Sequence, residues 1–183
     1  MGRKDDMHGC TSAAGAGSAG AADSLDKLGK LIEGIDIAML TTRTGEGRLL
    51  SRPLRAQQLD AEGALWFITD RNSHKAEEVR LQPQVNASFA SGERNTYVSL
   101  SGRASVVFDK ARLQELWSPA MSVFYPRGID DPELCLLRVQ VESAEYWDGP
   151  GGLVGQALYL AATALTRDPG VLSENERISF RAQ

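Results

Sequence analysis

The segment spanning residues 69–75 carries the side chains best suited to chemistry, because a strand-like run ends there and a helix-like run begins. Free backbone N–H groups at the start of a helix, together with the positive end of its dipole, attract anions. Ser73 can donate a hydroxyl hydrogen bond, and Lys75 can place a positive charge beside a phosphate. Alternatively, Ser73 or Asn72 only caps the helix and Lys75 is a solvated surface residue. The segment is therefore a candidate anion site, and the spacing leaves the simple helix cap open.

Two arginines, Arg52 and Arg55, lie three residues apart in a strand-like run that also contains Pro53. Because side chains alternate between the two faces of a strand, these arginines are predicted to point to opposite faces. One of them can then meet the same anion from a neighbouring strand, while the other meets solvent or an acidic partner. The alternative is a surface ion pair for each arginine, with Pro53 indicating only that its strand lacks one ladder donor.

Short helices and strands are predicted to position these residues. Apolar residues at helical spacing predict a helix that Asp23 or Ser24 caps and Gly34 ends. A second helix is predicted to follow the anion segment and to stop before Pro83, and Asp109 is the predicted cap of a third. The predicted strands cover residues 37–43, 48–59, 64–70, 85–90, 97–108, 135–142 continued by 144–147, and 177–180.

The strand pattern favours an antiparallel barrel over a parallel sheet, because strands follow one another at hairpin spacing with isolated helices between them. Residues 97–101 alternate between polar and apolar side chains, as expected for a wall with a core on one side. Gly102 is predicted to mark a bulge or bend in this long strand. The fold class predicted from the sequence is therefore mainly β with flanking helices.

Length and composition indicate one globular domain, since the chain has 183 residues of which 42% are hydrophobic. The formal net charge is −4, and the charges are interleaved, so neither nucleic acid nor a membrane surface is an expected partner. Residues 1–23, rich in Ala, Gly and Ser, are predicted to be a disordered tail, and residues 24–150 the barrel domain. Residues 151–183 are predicted to pack on that domain. They contain an apolar helix at residues 153–165 and the last short strand.

The two cysteines, Cys10 and Cys135, belong to no metal-ligand pattern and predict neither a disulfide framework nor a zinc site. Cys135 is interpreted as a small buried hydrophobe, with a reactive thiol as the alternative. Both interpretations fit a reducing compartment, and a cytoplasmic location is expected.

The order of several segments resembles one known family. Arg52-Pro53-Leu54 on one strand is followed by residues 65–70 on the next strand and then by Ser73-His74-Lys75. Further matching segments are residues 97–104, 116–119, 124–126, 130–132, 136–139 and 144–148. This ordered set resembles the FMN-binding split barrels related to pyridoxamine 5′-phosphate oxidase, and specifically the bacterial general stress protein 26 group.

The resemblance implies a six-stranded antiparallel split β-barrel that holds FMN at a homodimer interface. Arg52 and Lys75 would bind the phosphate, and Ser73 and His74 would assist them. Backbone or hydroxyl groups of Ile68 and Thr69 would bond the polar edge of the flavin, and Tyr97 would approach from the following hairpin. Trp117 and Phe124 would cover the ring from the partner subunit, with ordinary packing at the dimer interface as the alternative. The expected cofactor-binding residues are Arg52, Pro53, Leu54, Ile68, Thr69, Ser73, His74, Lys75, Tyr97, Trp117 and Phe124.

Three departures from the oxidase pattern bear on activity. His74 stands where the family has a second cation, Gln57 stands where it has a lysine, and the C-terminal arginine and histidine that bind pyridoxal phosphate have no equivalent. Pyridoxamine phosphate oxidase activity is therefore disfavoured. The leading hypothesis is an FMN-dependent oxidoreductase of unknown substrate and catalytic residues. One alternative is a flavin-binding stress or sensor protein without turnover. The other is the same barrel using F420 or haem, and for haem His74 is the candidate axial ligand.

Overall fold

The computed structural model describes residues 15–149 and 174–180. Its helices are α1 (Gly15–Ile32), α2 (His74–Leu81) and α3 (Lys110–Leu116), followed by a 3₁₀ turn at Pro119–Val123. Its strands are β1 (Ile37–Arg43), β2 (Leu49–Leu59), β3 (Ala64–Asp70), β4 (Gln84–Ser91), β5 (Thr96–Val107), β6 (Leu134–Asp148) and β7 (Glu174–Ser179).

The strands form one antiparallel sheet in the order β3-β2-β1-β4-β5-β6-β7. A further pairing of β3 with the first half of β6 closes the first six strands into a barrel. The second half of β6 pairs with β7, which lies outside the closed ring. The predicted mainly β, six-stranded antiparallel split barrel is therefore confirmed.

Most element boundaries agree with the sequence pattern, and one helix start is wrong. Strands β1 and β3 have the predicted bounds. Residues 135–142 and 144–147 form a single strand, β6. Helix α1 begins at Gly15, well before the predicted cap at Asp23 or Ser24; the alanines of this stretch favour helix, although its glycines do not. The remainder of the predicted tail, residues 1–14, and the predicted helix at 153–165 lie outside the described residues.

Apolar side chains form two clusters on opposite sides of the barrel wall. The larger one fills the interior with residues from all six barrel strands, and Leu28 of α1 and Val79 of α2 join it at its ends. The smaller one lies outside β3 and β6, where Leu113 of α3 and Met121 of the 3₁₀ turn cover Ile68. Since β3 is covered on both faces, its side chains are buried in succession and do not alternate.

Strand β3 pairs with its two neighbours over different lengths. It pairs with β6 along its whole length, whereas its pairing with β2 runs only from Ala56 to Leu59, with a register shift within it. The earlier part of β2 pairs with β1 alone. Strands β2 and β3 therefore diverge beyond Phe67, which leaves the end of β3 open on that side.

No helix within residues 15–149 and 174–180 is long and apolar enough to cross a membrane.

Candidate functional site

Ser73 caps α2, as expected from the interpretation of this residue as a helix cap. Its Oγ accepts a hydrogen bond from the N–H of Ala76 at 3.4 Å and donates to the carbonyl oxygen of Asp70 at 2.7 Å. The N–H groups of His74 and Lys75 donate to no acceptor in the part of the chain that the structure describes. The start of α2 therefore presents two free donors at the positive end of the helix dipole.

Lys75 is half-buried beside this helix start and forms neither a hydrogen bond nor an ion pair with any described residue. Burial lowers the pKa of Lys75 below its ordinary value, and the nearby positive charge of Arg52 lowers it further. Asp70 and Glu78 oppose this shift only in part. A partly desolvated ammonium without a partner is unfavourable, and an anion bound here would relieve that cost.

Thr69 contributes a second unsatisfied group at the end of β3. It is 2% exposed, and its hydroxyl has no hydrogen-bond partner within residues 15–149 and 174–180. The residue directly across from it on β6 is the buried Cys135. Buried hydroxyls are normally hydrogen-bonded, so this hydroxyl at the open side of β3 is suited to bonding a polar atom of a ligand.

Arg52 is close to Lys75 but is held by a carboxylate. Its Nη1 and Nη2 donate to the two oxygens of Glu78 at 2.8 and 2.9 Å, and Nη1 also donates to the Thr42 hydroxyl at 2.8 Å. Thr42 in turn donates to Glu78 at 2.5 Å. The Arg52 hydrogen bond, which outweighs the opposing effect of burial, lowers the pKa of Glu78. The three side chains therefore form one charge-assisted network.

A cleft of about 540 Å³ lies against this network. Arg52 and His74 both line it, so the structure brings these two predicted residues together. Glu77 and Glu78 also line the cleft, whereas Lys75 does not. The cleft is therefore lined by arginines and carboxylates together.

The remaining predicted residues of β2 point in different directions. Leu54 is buried in the barrel interior, and Pro53 lies on the outer face across from Met39. Arg55 also points outward and bonds Asp36 at 2.7 Å. The prediction that Arg52 and Arg55 occupy opposite faces is therefore confirmed.

Tyr97 lies on the outer face of the barrel, apart from α2. It shares a shallow cleft of about 390 Å³ with Ile37, Met39 and Trp147. All four of these large side chains are exposed. The outer face formed by Ile37, Met39, Tyr97 and Trp147, called here the outer apolar patch, is thus left exposed by the described residues of this chain.

The aromatic residues after α3 divide into packed and exposed ones. The ring of Trp117 packs against Tyr125, with centroids 6.2 Å apart, while Phe124 is 64% exposed. The Tyr125 hydroxyl donates to the carbonyl oxygen of Ile68 at 2.9 Å, and burial raises the pKa of Tyr125 to about 12. The 3₁₀ turn is thereby tied to the end of β3.

Three residues of this region were missed by sequence reasoning: Thr42, Glu78 and Tyr125. Glu78 follows His74 by one helical turn, which places both on one helix face, and this spacing could have identified it. Tyr125 lies in a segment that matches the family, but no role was assigned to it, and Thr42 carries no comparable signal. The contacts of Thr42 with Glu78 and of Tyr125 with Ile68 join residues far apart in the sequence.

Residues 23–169 match the family described as pyridoxamine 5′-phosphate oxidase like. The chain is 26% identical over 152 residues to protein bli-3 of Neurospora crassa, an alignment covering 78% of this chain and 73% of that protein. A crystal structure of a candidate general stress protein 26 from Jannaschia sp. CCS1 superposes with a TM-score of 0.70 at 28% identity, covering 87% of this chain and 99% of that one. The general stress FMN/FAD binding protein of Xanthomonas citri superposes with a TM-score of 0.61 at 26% identity, covering 72% and 92% of the two chains.

Proposed function

The chain belongs to the pyridoxamine 5′-phosphate oxidase-like family, and we propose that it is a flavoprotein of the general stress protein type that binds FMN with the phosphate at the start of α2. The observation that carries this proposal is the half-buried ammonium of Lys75 beside the N–H groups of His74 and Lys75, none of which has a partner among the described residues. A phosphate dianion supplies the charge and the acceptors that this corner lacks.

The residues at the open end of β3 fit the polar parts of such a ligand. The orphaned hydroxyl of Thr69 supplies a hydrogen-bonding group where β2 and β3 diverge. Arg52 keeps part of its guanidinium free for the phosphate, although Glu78 neutralises its charge. Lys75 therefore provides the main uncompensated charge of this corner among the described residues. In this proposal Ile68 bonds the flavin through its backbone, and Pro53 and Leu54 support the phosphate-binding strand.

Bound FMN would supply hydride or electron transfer, and the protein would supply position and electrostatics. The function proposed is accordingly a flavin-dependent oxidoreductase whose substrate and catalytic residues are undetermined. The general stress FMN/FAD binding protein of Xanthomonas citri supports the choice of a flavin. The long acidic tail of F420 would need several Lys or Arg beyond Arg52 and Lys75; among the described residues of this cleft Arg48 adds a cation, and it is paired with Glu46. A reducing, cytoplasmic location remains a prediction from the two isolated cysteines.

A homodimer with FMN at the subunit interface is part of this proposal. The outer apolar patch and the exposed ring of Phe124 support it, because surfaces of this kind are normally covered by a partner. In this proposal Trp117 and Phe124 of the partner subunit cover the flavin ring, and Tyr97 lies on the outer face within the outer apolar patch. In a sedimentation-velocity experiment, Met39→Glu should lower the sedimentation coefficient towards that of the monomer. Leu49→Glu, which changes an exposed leucine outside the patch, should leave the assembly unchanged.

The binding test compares FMN with riboflavin, which has the same ring system and no phosphate. We expect wild-type protein to bind FMN with micromolar or tighter affinity and at least tenfold more tightly than riboflavin, an order-of-magnitude expectation. Lys75→Ala should weaken FMN binding by about tenfold and leave riboflavin binding unchanged. Lys110→Ala, which removes an exposed lysine paired with Asp130, is the charge-matched control. Equal affinities of wild type and Lys75→Ala for FMN would remove the phosphate site from α2.

The redox test uses the FMN-loaded protein under anaerobic conditions. Reduction of the flavin by NADH or NADPH, followed as bleaching of its visible absorption, supports an oxidoreductase. Bound flavin that no donor reduces would instead favour a stress or sensor protein without turnover.

A further inference from the structure

The guanidinium of Arg52 has an unused edge. A guanidinium carries five N–H donors, of which Nη1 uses both of its own on Thr42 and Glu78. Nη2 uses one on the second oxygen of Glu78. Nε–H and the other Nη2–H have no partner within residues 15–149 and 174–180. These two donors lie on the same edge of the planar group and form a second fork.

The end of the guanidinium is fixed by largely buried partners. Thr42 is fully buried, and the side chain of Glu78 is 11% exposed. The arginine side chain itself is 28% exposed, and it lies near enough to Lys75 for its charge to lower the pKa of that lysine, so its remaining donors are close to the proposed phosphate corner. Glu78 therefore removes most of the rotational freedom of the arginine head while leaving one bidentate edge accessible.

We propose that Glu78 is a positioning residue for the phosphate of the ligand: it grips the terminal edge of the Arg52 guanidinium and presents the Nε/Nη2 edge to the phosphate oxygens. The inference rests on the proposed function, because it concerns the same phosphate. The ion pair of Arg52 with Glu78 is thereby part of the ligand site. Without Glu78, the long arginine side chain would have to be ordered by the ligand itself, at the expense of affinity.

Two effects of Glu78 on a bound phosphate have opposite signs, and this makes the inference testable. The negative charge of its carboxylate repels a dianion, so removing that charge alone would strengthen phosphate binding. Its grip on Arg52 strengthens binding, so removing the grip would weaken it. Positioning is the stronger effect in our proposal. An arginine edge that is already held in place forms both hydrogen bonds to the phosphate without a further loss of side-chain freedom.

The experiment measures dissociation constants of FMN and riboflavin for wild type, Glu78→Asp, Glu78→Gln and Glu77→Gln. Glu78→Asp keeps the charge but shortens the side chain, so the two-point contact with Arg52 is lost. We expect Glu78→Asp and Glu78→Gln each to weaken FMN binding by about tenfold and to leave riboflavin binding unchanged. Glu77→Gln removes a charge from the same helix without touching Arg52, and should bind FMN at least as tightly as wild type.

A second variant covers the case in which the Glu78 variants unfold. Arg52→Lys keeps the positive charge and lacks both forks, and is expected to weaken FMN binding by about tenfold as well. Thermal denaturation curves recorded without flavin show up to which temperature each variant stays folded. FMN affinity that is unchanged or higher in Glu78→Asp and Glu78→Gln, or unchanged in Arg52→Lys, would overturn the positioning role. Wild-type protein that binds FMN no better than riboflavin would instead overturn the proposed phosphate site itself.

Discussion

A Cβ atom on Gly102 would lie 2.1 Å from the carbonyl oxygen of Gln140 on the neighbouring strand. The backbones approach this closely because β5 and β6 shift register between Ser101 and Gly102. The glycine is therefore required by the close approach of two strands, and no side chain fits there without moving the main chain.

Gly102→Ala is expected to destabilise the barrel strongly, because the clash is with backbone and cannot be relieved by a side-chain rotation. The free energy of unfolding in urea should fall by about 2 kcal/mol or more. Gly92→Ala is the matched control, since a Cβ at Gly92 meets nothing within 4 Å. A similar loss in both variants would show that general glycine replacement, and not the clash with Gln140, causes the effect.

Thr69→Val is expected to stabilise the flavin-free protein while weakening FMN binding. The hydroxyl of Thr69 is buried without a partner in the described part of the chain, so an isosteric methyl group removes an unsatisfied polar atom. The free energy of unfolding should rise by about 1 kcal/mol. Thr42→Val is the contrasting variant and should lower it by about 2 kcal/mol, because Thr42 bonds both Glu78 and Arg52. Loss of stability in Thr69→Val would mean that its hydroxyl has a partner in the folded protein.

Tyr125→Phe is expected to lower the free energy of unfolding by about 1 kcal/mol near neutral pH, since it removes the hydrogen bond to Ile68. The pKa of Tyr125 is raised from 10.0 to about 12, mainly by burial. The folded protein therefore holds this proton more tightly than the unfolded chain, and the stabilising contribution is complete below pH 10 and is lost as pH rises towards 12. Chemical denaturation of wild type and Tyr125→Phe between these pH values should show the two stabilities converging. A difference that grows with pH would contradict this assignment.

The thiol of Cys135 is expected to react slowly in the native protein. Burial raises the pKa of Cys135 from 9.0 to about 11, so little thiolate exists near neutral pH, and the side chain is 2% exposed. With Cys10 replaced by serine, iodoacetamide at pH 8 should label Cys135 only after denaturant is added. Rapid labelling of the native chain would support the reactive thiol that the sequence left open.

Local chemistry made much of the fold predictable. Strand β3 has an uninterrupted apolar run bounded by a glycine turn and by Asp70, so both its ends are visible in the sequence. The caps of α2 and α3 at Ser73 and Asp109 follow from side chains that bond their own first turn. The early start of α1 was missed, because small residues were interpreted as a tail although alanine favours helix.

The candidate site was predictable in its residue types and less so in its pairings. Lys75 and Thr69 follow from the strand-to-helix transition, whose chemistry is local in the sequence. The partner of Arg52 does not, because Glu78 lies 26 residues further along the chain and meets Arg52 through the packing of α2 against the barrel. Such contacts depend on the tertiary fold, and a single sequence offers no periodicity from which to infer them.

The pairing of β3 with β6 also has a consequence for synthesis on the ribosome. Residues 64–70 emerge long before their partners at residues 134–140, so the growing chain carries β3 with only its short contact to β2. Its apolar side chains and one whole edge stay uncovered during that interval, which is the situation in which nascent chains recruit chaperones. Completion of the barrel is thus a late event in translation, timed by the appearance of β6.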